Sequence, residues 1–162
     1  MITQEYLKSI LNYDPETGFF TWKVRLAAAT LIDGDAGWYN KDGYLIIQIK
    51  GKGYPASHLA WLYVTGDWPK DEVDHENLIK SDNRWKNLRE ANRTENMYNT
   101  PTYKNNRLGI KGVGFHKVSG KFRARINVNG KSKDLGLFNT PEEAKEAYDK
   151  IATLERGKFV RL

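Results

Sequence analysis

VDHENLIKSDNRWKNLREANRTEN, running from Val73 to Asn96, is the stretch on which the reading of this chain turns. Asp74 and His75 are adjacent, Asn87 follows twelve residues after His75, and Asn96 nine residues after Asn87. An Asp-His pair alone is more often a hydrogen-bonded structural couple than a site of chemistry. The surroundings shift that balance. Asn92-Arg93-Thr94-Glu95 has the composition of a helix start, with the Asn92 side chain on the backbone and Glu95 reaching back. This places Asn96 in about the first turn, where its side chain can face a loop carrying Asp74. From Gly66 to Asn87 the content of Pro, Gly, Asp and Asn argues for loop over regular structure, and loops of that length in a compact domain are usually functional.

On the N-terminal side, a short helix is expected over Thr3 to Leu11, then a turn at Asp14-Pro15-Glu16-Thr17-Gly18 and an aromatic strand from Phe19 to Trp22. A second turn at Asn40 to Gly43 leads into strand formers from Tyr44 to Ile49, and Gly51-Lys52-Gly53 turns the chain again. His58 to Tyr63 reads as a short buried helix. On the C-terminal side, Asn99 to Gly109 has turn formers and little apolar content, which puts a domain boundary there, with 101–108 as linker between domains at 1–100 and 109–162. Phe122, Ala124, Ile126 and Val128 alternate with Arg123, Arg125 and Asn127, the period-2 mark of a strand with one buried face. Asn129-Gly130 is the preferred two-residue hairpin turn, and Lys131 to Leu135 should return antiparallel. Val113 to Lys117 is expected to be the first of three strands. Thr140-Pro141-Glu142-Glu143 is a capping box with proline at the first helical position. It predicts a helix from Pro141 to Gly157 whose Ala144, Ala147, Tyr148, Ile151 and Ala152 cover the sheet. A sheet edge or face bearing Lys121, Arg123, Arg125, Lys131 and Lys133 follows, and the fold class is α+β.

Composition excludes several chemistries. The 162 residues contain no cysteine, so disulfides, thiolate zinc sites and cysteine nucleophiles are absent. No apolar run approaches a membrane span and MITQEYLKSI lacks a basic segment followed by an apolar one, so a soluble, cytoplasmic protein is expected, with no membrane partner. The net charge of +6 is unevenly spread. Residues 1–100 hold 12 Lys/Arg against 14 Asp/Glu (net −2), residues 101–162 hold 14 against 6 (net +8), an asymmetry that suggests a polyanion-binding C-terminal domain.

The Asp74-to-Asn96 segment resembles the ββα-metal motif of HNH (His-Asn-His) endonucleases, particularly the homing-type enzymes common in phage genomes. YPASHLAWLY (Tyr54 to Tyr63), Asp82-Asn83-Arg84 and Asn87-Leu88-Arg89 extend the likeness over roughly residues 13–99. The resemblance implies a ββα-metal nuclease domain that hydrolyses phosphodiester bonds in double-stranded DNA, in the host cytoplasm if phage-encoded. It makes His75 the general base and gives Asn87 the task of fixing its tautomer through the other ring nitrogen. Asp74 and Asn96 would hold one divalent cation, which stabilises the departing 3′ oxygen. Asn96 stands where the family often has histidine. An amide oxygen suits a hard ion, which favours Mg2+ or Mn2+ over zinc. His58, beside apolar residues, and Asn83 are supporting residues.

Residues Gly109 to Ala152 resemble the ethylene-response-factor (APETALA-type) DNA-binding domain. The matches are Gly112-Val113, Gly120-Lys121-Phe122, Leu135-Gly136 with Phe138, and Glu143-Ala144 with Ala147-Tyr148-Asp149. The resemblance implies a three-stranded sheet laid in the major groove, with His116, Lys117, Lys121, Arg123, Arg125, Lys131 and Lys133 as DNA contacts. Asp134 falls where those domains carry a bulky aromatic. Two other functions stay open at this stage: a non-catalytic DNA-binding protein that keeps the fold, against which the intact Asp74, His75 and Asn87 argue, and a low-specificity nuclease. Oligomeric state, and cleavage of one strand or both, are likewise open.

Overall fold

The computed structural model describes residues 2–26, 31–99 and 106–159. The chain divides into two compact units, Met1–Asn92 and Arg93–Leu162. Both are built from short helices and small antiparallel sheets, so the fold is α+β. Among the described residues no helix is long and apolar enough to cross a membrane. Most of the expected 101–108 linker lies outside the described residues.

In the first unit, Thr3 caps helix α1 (Gln4–Ile10) by accepting a hydrogen bond from the Tyr6 amide at 3.3 Å. Strand β1 (Leu11–Tyr13) follows at once and pairs with β2 (Phe20–Trp22) across a turn that Asp14 organises, its carboxylate accepting from the Glu16 amide and the Thr17 hydroxyl. Strands β3 (Trp38–Tyr39), β4 (Leu45–Ile49) and β5 (Lys52–Pro55) form a sheet in sequence order. Helix α2 (Ala56–Thr65) leaves β5 and ends at Gly66 in the left-handed conformation. Leu7, Leu11, Phe20, Ile47, Ile49, Leu59 and Leu62 are fully buried and form the core of this unit.

Strands β6 (Glu72–His75) and β7 (Leu88–Ala91) make a two-stranded ribbon in register Glu72↔Ala91, Val73↔Glu90, Asp74↔Arg89 and His75↔Leu88. The loop expected over Gly66 to Asn87 therefore contains a strand. With two acids and a histidine in four residues, Glu72–His75 has little strand propensity of its own. Its extended form comes from pairing with β7 and from Val73, which with Leu88 joins the core. A 3-10 turn over Trp85–Asn87 leads into β7.

The second unit begins with helix α3 (Arg93–Tyr98) and continues with β8 (Val113–His116), β9 (Lys121–Val128) and β10 (Lys131–Phe138) in the sheet order β10-β9-β8. Asn129 and Gly130 turn the β9–β10 hairpin with φ of 50° and 76°. Helix α4 (Pro141–Arg156) starts on the full Thr140–Glu143 capping box and packs Ala144, Tyr148 and Ala152 onto Ala124 and Ile126. Gly112 lets the sheet and α4 meet closely: a Cβ there would run into the Tyr148 ring and come within 2.6 Å of the Arg125 carbonyl. Helix α3 is tied into this unit through Tyr98. Its hydroxyl accepts from the Asn129 amide at 3.2 Å, its carbonyl from Lys111 Nζ at 2.7 Å, and its ring lies 4.4 Å beneath the buried Arg156 guanidinium.

One irregularity decides which side chains share a face. Strand β10 pairs Asp134 with Arg125 and Gly136 with Ala124, so Leu135 is an extra residue, a β-bulge. Directly opposed residues of antiparallel strands point to the same side. The outward face, away from α4, therefore carries Lys121, Arg123, Arg125 and Asn127 of β9, Gly114 and His116 of β8, and Ser132, Asp134 and Leu137 of β10. Lys131 and Lys133 stand opposite Val128 and Ile126 on the α4 side, and Lys133 Nζ lies 3.6 Å from Glu155 of α4. This corrects their expected place beside the arginines. Regular alternation counted back from the inward Phe138 would turn both lysines outward, and the bulge inverts that parity.

Candidate active site

His75 ends β6 on the side of the ribbon that carries Val73 and Leu88, so the ring is buried. Burial holds its pKa below the ordinary histidine value, with the Asn83 hydrogen bond and the charges of Asp74 and Asp82 acting in the opposite sense. The imidazole is neutral at cellular pH. Asn83 Oδ1 lies 3.3 Å from His75 Nε2, and Asn83 Nδ2 donates to the Ser81 carbonyl at 3.3 Å. That second bond orients the amide, so the atom facing the ring is an acceptor and Nε2 carries the proton. The basic lone pair of the neutral ring is then on Nδ1.

Asn83 was expected only as a supporting residue, with Asn87 on the imidazole, and the geometry exchanges their tasks. Asn87 closes the 3-10 turn before β7, and its amide spans the loop between the strands. Oδ1 accepts from the Asn77 amide at 3.0 Å and Nδ2 donates to the Asp82 carbonyl at 2.8 Å. Asn77 in turn donates to Asp82 Oδ2 at 2.6 Å and accepts from the Ile79 amide at 2.8 Å. Arg84 engages both Asp82 oxygens and, by that hydrogen bonding, pushes the Asp82 carboxyl down to about 2. Residues 76–84 are thus a loop whose polar side chains bond to its own backbone.

The first twenty residues complete the support of His75. Tyr13 donates its hydroxyl proton to the Asn83 carbonyl at 2.7 Å, and burial raises the phenol's pKa above its usual value. Gly18, at φ +78°, lies so close that a Cβ would come within 2.5 Å of the Asn83 carbonyl carbon and the Arg84 amide. Trp85 donates its amide to the Pro15 carbonyl at 2.9 Å. The β1–β2 turn is thereby fastened to the chain that presents Asn83. Sequence reading missed Tyr13, whose contact with Asn83 spans 70 residues, and Gly18, which meets the same distant stretch of chain.

Asp74 is buried and faces Arg89 across the ribbon. Nε and Nη2 of Arg89 approach its Oδ2 at 2.9 and 2.8 Å, while Arg89 Nη1 lies 3.6 Å from Glu76. A cation bound by Asp74 would share its carboxylate with Arg89. The expected donors, a carboxylate and an amide oxygen in a chain without thiols, fit a hard divalent ion. Among the described residues no three His, Cys, Asp or Glu side chains cluster as a metal site. Asn96 lies on α3, in the second unit. His58, on α2, has its pKa lowered by burial.

Of the expected DNA contacts, Lys121, Arg123, Arg125 and His116 share the outward face of the sheet, and Lys117 follows His116 in the turn to β9. His116 Nδ1 lies 2.8 Å from the Ser119 hydroxyl. An open pocket of about 630 Å3 on this face is lined by His116, Arg123, Asp134, Leu135, Gly136 and Leu137.

No curated protein matches the chain. A solved structure of DNA binding and cleavage by the HNH homing endonuclease I-HmuI is similar to it, with a TM-score of 0.41 and 18% identity, covering 85% of this chain and 76% of that one. Residues 54–98, which include α2, the β6–β7 ribbon with Asp74, His75, Asn83 and Asn87, and helix α3, match the family model of HNH endonucleases.

Proposed function

We propose that this protein is a metal-dependent DNA endonuclease of homing type that hydrolyses phosphodiester bonds with His75 as general base. The observation that carries the reading is the buried His75, neutral and with its tautomer set by Asn83, next to Asp74 within the stretch that matches HNH endonucleases. His75 Nδ1 accepts the proton of the attacking water while Nε2–H stays on Asn83 Oδ1, so the ring neither rotates nor loses its orientation as it becomes charged. Asp74 would hold one Mg2+ or Mn2+, which when bound supplies charge stabilisation for the leaving 3′ oxygen. Asn87 acts on the loop, keeping the backbone between β6 and β7 in the form that presents Asn83. The outward face of the second unit supplies DNA affinity through Lys121, Arg123 and Arg125, with His116 and Lys117 at its edge.

The test is cleavage of supercoiled plasmid with Mg2+, with chelator, and with His75→Ala. Wild type should cut only with the divalent ion. His75→Ala should cut roughly a hundredfold to ten-thousandfold more slowly while binding DNA as wild type does. Undiminished cleavage by His75→Ala would overturn the mechanism.

A further inference from the structure

The outward face of the β8–β10 sheet holds one carboxylate, and its position is unusual for the charge around it. Between Glu95 and Glu142 the chain has nine Lys and Arg and a single acidic residue, Asp134. Asp134 lies on the outward face opposite Arg125, and the bulge at Leu135 puts it there. Its Oδ1 accepts from the Gly136 amide at 3.1 Å, a bond made across the bulge itself. Its Oδ2 accepts from Nε of Arg123 at 2.8 Å and from Nη2 of the same guanidinium, with Arg125 Nε 4.0 Å away.

An exposed ion pair of this kind contributes little to stability. It does fix a direction. With Nε and one Nη2 proton engaged on Asp134, Arg123 presents the donors on its far edge, Nη1–H and the second Nη2–H, away from the carboxylate. That edge is the fork that bridges O6 and N7 of guanine in the major groove. The neighbouring place on β8, directly opposite Arg123, is Gly114, where a Cβ would meet nothing within 4 Å. The pocket lined by His116, Arg123 and Asp134 is therefore open to a base edge. Arg125, outside the bidentate contact, retains the freedom of a phosphate-binding side chain.

We propose that Asp134 is a specificity-determining positioning residue: held by the bulge, it holds Arg123 as the guanine-reading side chain of the sheet and lowers affinity for DNA in general while raising discrimination. The occupant is duplex DNA, argued from the positive face and the geometry of the arginine fork. The inference rests on the proposed role of the second unit as DNA address. Pre-orientation reduces the conformational freedom lost on binding a guanine, while the carboxylate repels every phosphate alike.

The experiment is selection of bound duplexes from a pool randomised over about two helical turns, ~20 base pairs. It uses the full-length protein with a chelator to prevent cleavage, with wild type, Arg123→Ala, Asp134→Ala and Asp134→Asn at one salt concentration. Affinity for a duplex of arbitrary sequence is measured in parallel. Wild type should select a guanine at one position, and Arg123→Ala and both Asp134 variants should lose that same position, with discrimination falling about tenfold. Asp134→Ala should bind the arbitrary duplex more tightly than wild type and Arg123→Ala less tightly, which separates loss of positioning from loss of binding. Asp134→Asn keeps the acceptor for the Gly136 amide, so it controls for collapse of the bulge. Wild-type selection by both Asp134 variants would overturn the proposal while leaving the sheet as DNA address. If wild type, Arg123→Ala and Asp134→Ala bind every duplex alike with the same salt dependence, the address reading fails first and the proposal with it.

Discussion

Each unit holds an aspartate against an arginine on neighbouring antiparallel strands, and the two pairs differ in almost everything but composition. Asp74 and Arg89 are directly opposed on β6 and β7, with side chains 5% and 12% exposed. Asp134 and Arg123 are diagonal neighbours on β10 and β9, 44% and 34% exposed. Removing one partner of a buried pair strands a charge in a poorly hydrated place, whereas an exposed arginine that loses its carboxylate is rehydrated. The same residue types thus hold the fold together in the first unit and direct a side chain in the second.

The sharpest way to break this comparison is to truncate both carboxylates. In metal-free protein, Asp74→Ala should cost about 3 to 5 kcal/mol in chemical denaturation, and adding Arg89→Met should restore part of it, because the guanidinium left beside Glu76 has lost its buried partner. Asp134→Ala should leave the denaturation midpoint unchanged. Equal midpoints for wild type and Asp74→Ala would show that Arg89 is rehydrated after all and that the two pairs are alike.

Next in size are the asparagines and tyrosine that hold the loop. Asn87→Ala removes two hydrogen bonds bridging the loop and should cost about 1 to 3 kcal/mol, with faster hydrogen exchange at the Asn77 amide. Tyr13→Phe removes one buried bond, about 1 kcal/mol, and should lower kcat with KM unchanged, since Asn83 shifts relative to His75. A change in KM alone would place Tyr13 in DNA binding instead.

Acid should also separate the units. His58 and His75 have folded pKa values below 6.5 because burial disfavours the charged ring. The unfolded chain then binds more protons as pH falls through 6.5. The stability these two rings contribute is complete above that value and is lost below it, toward their folded pKa values. Asp134, whose pKa is lowered chiefly by Arg123, contributes above its ordinary value near 3.8 and loses that contribution only below it. Hydrogen exchange in chelator should therefore show β6 opening as pH falls below 6.5 while β9 stays protected. His58→Leu should flatten part of the loss, and parallel loss of protection in β6 and β9 would count against the assignment.

The smallest expected effect concerns the lysines. Lys121→Ala should lower the log-log salt slope of DNA binding by about 0.9, one phosphate's worth, and Lys131→Ala and Lys133→Ala should leave it unchanged because both stand on the α4 side. A drop with Lys133→Ala would mean that DNA reaches the helix side of the sheet.

What could be read in the sequence follows the range of the forces involved. Helix α4 was legible from a capping box and proline within four residues, and the β9–β10 hairpin from Asn129-Gly130 and strict alternation, all short-range signals. Asp74 and His75 were legible as a candidate site because the motif lies within one stretch of chain. The strand character of Glu72–His75 was not, since it comes from pairing with residues sixteen or so positions on. Nor was the exchange between Asn83 and Asn87, because both are amides in one polar loop and only the path of the backbone decides which one reaches the ring. The bulge at Leu135 left no local mark beyond Gly136, and missing it placed two lysines on the wrong side.

That bulge is a seam where two registers meet. The Asn129-Gly130 turn dictates the pairing of Lys131 through Asp134, and Phe138 in the core dictates the pairing from Gly136 onward. A single-codon deletion at Ser132 would close the seam without disturbing either end. It would bring Lys133 to the outward side and carry Asp134 to the side of α4. At that place on the sheet, the sign of the charge offered to a partner is encoded by the number of residues between turn and core. It can therefore be reversed in one step by a length change that alters no charged residue at all.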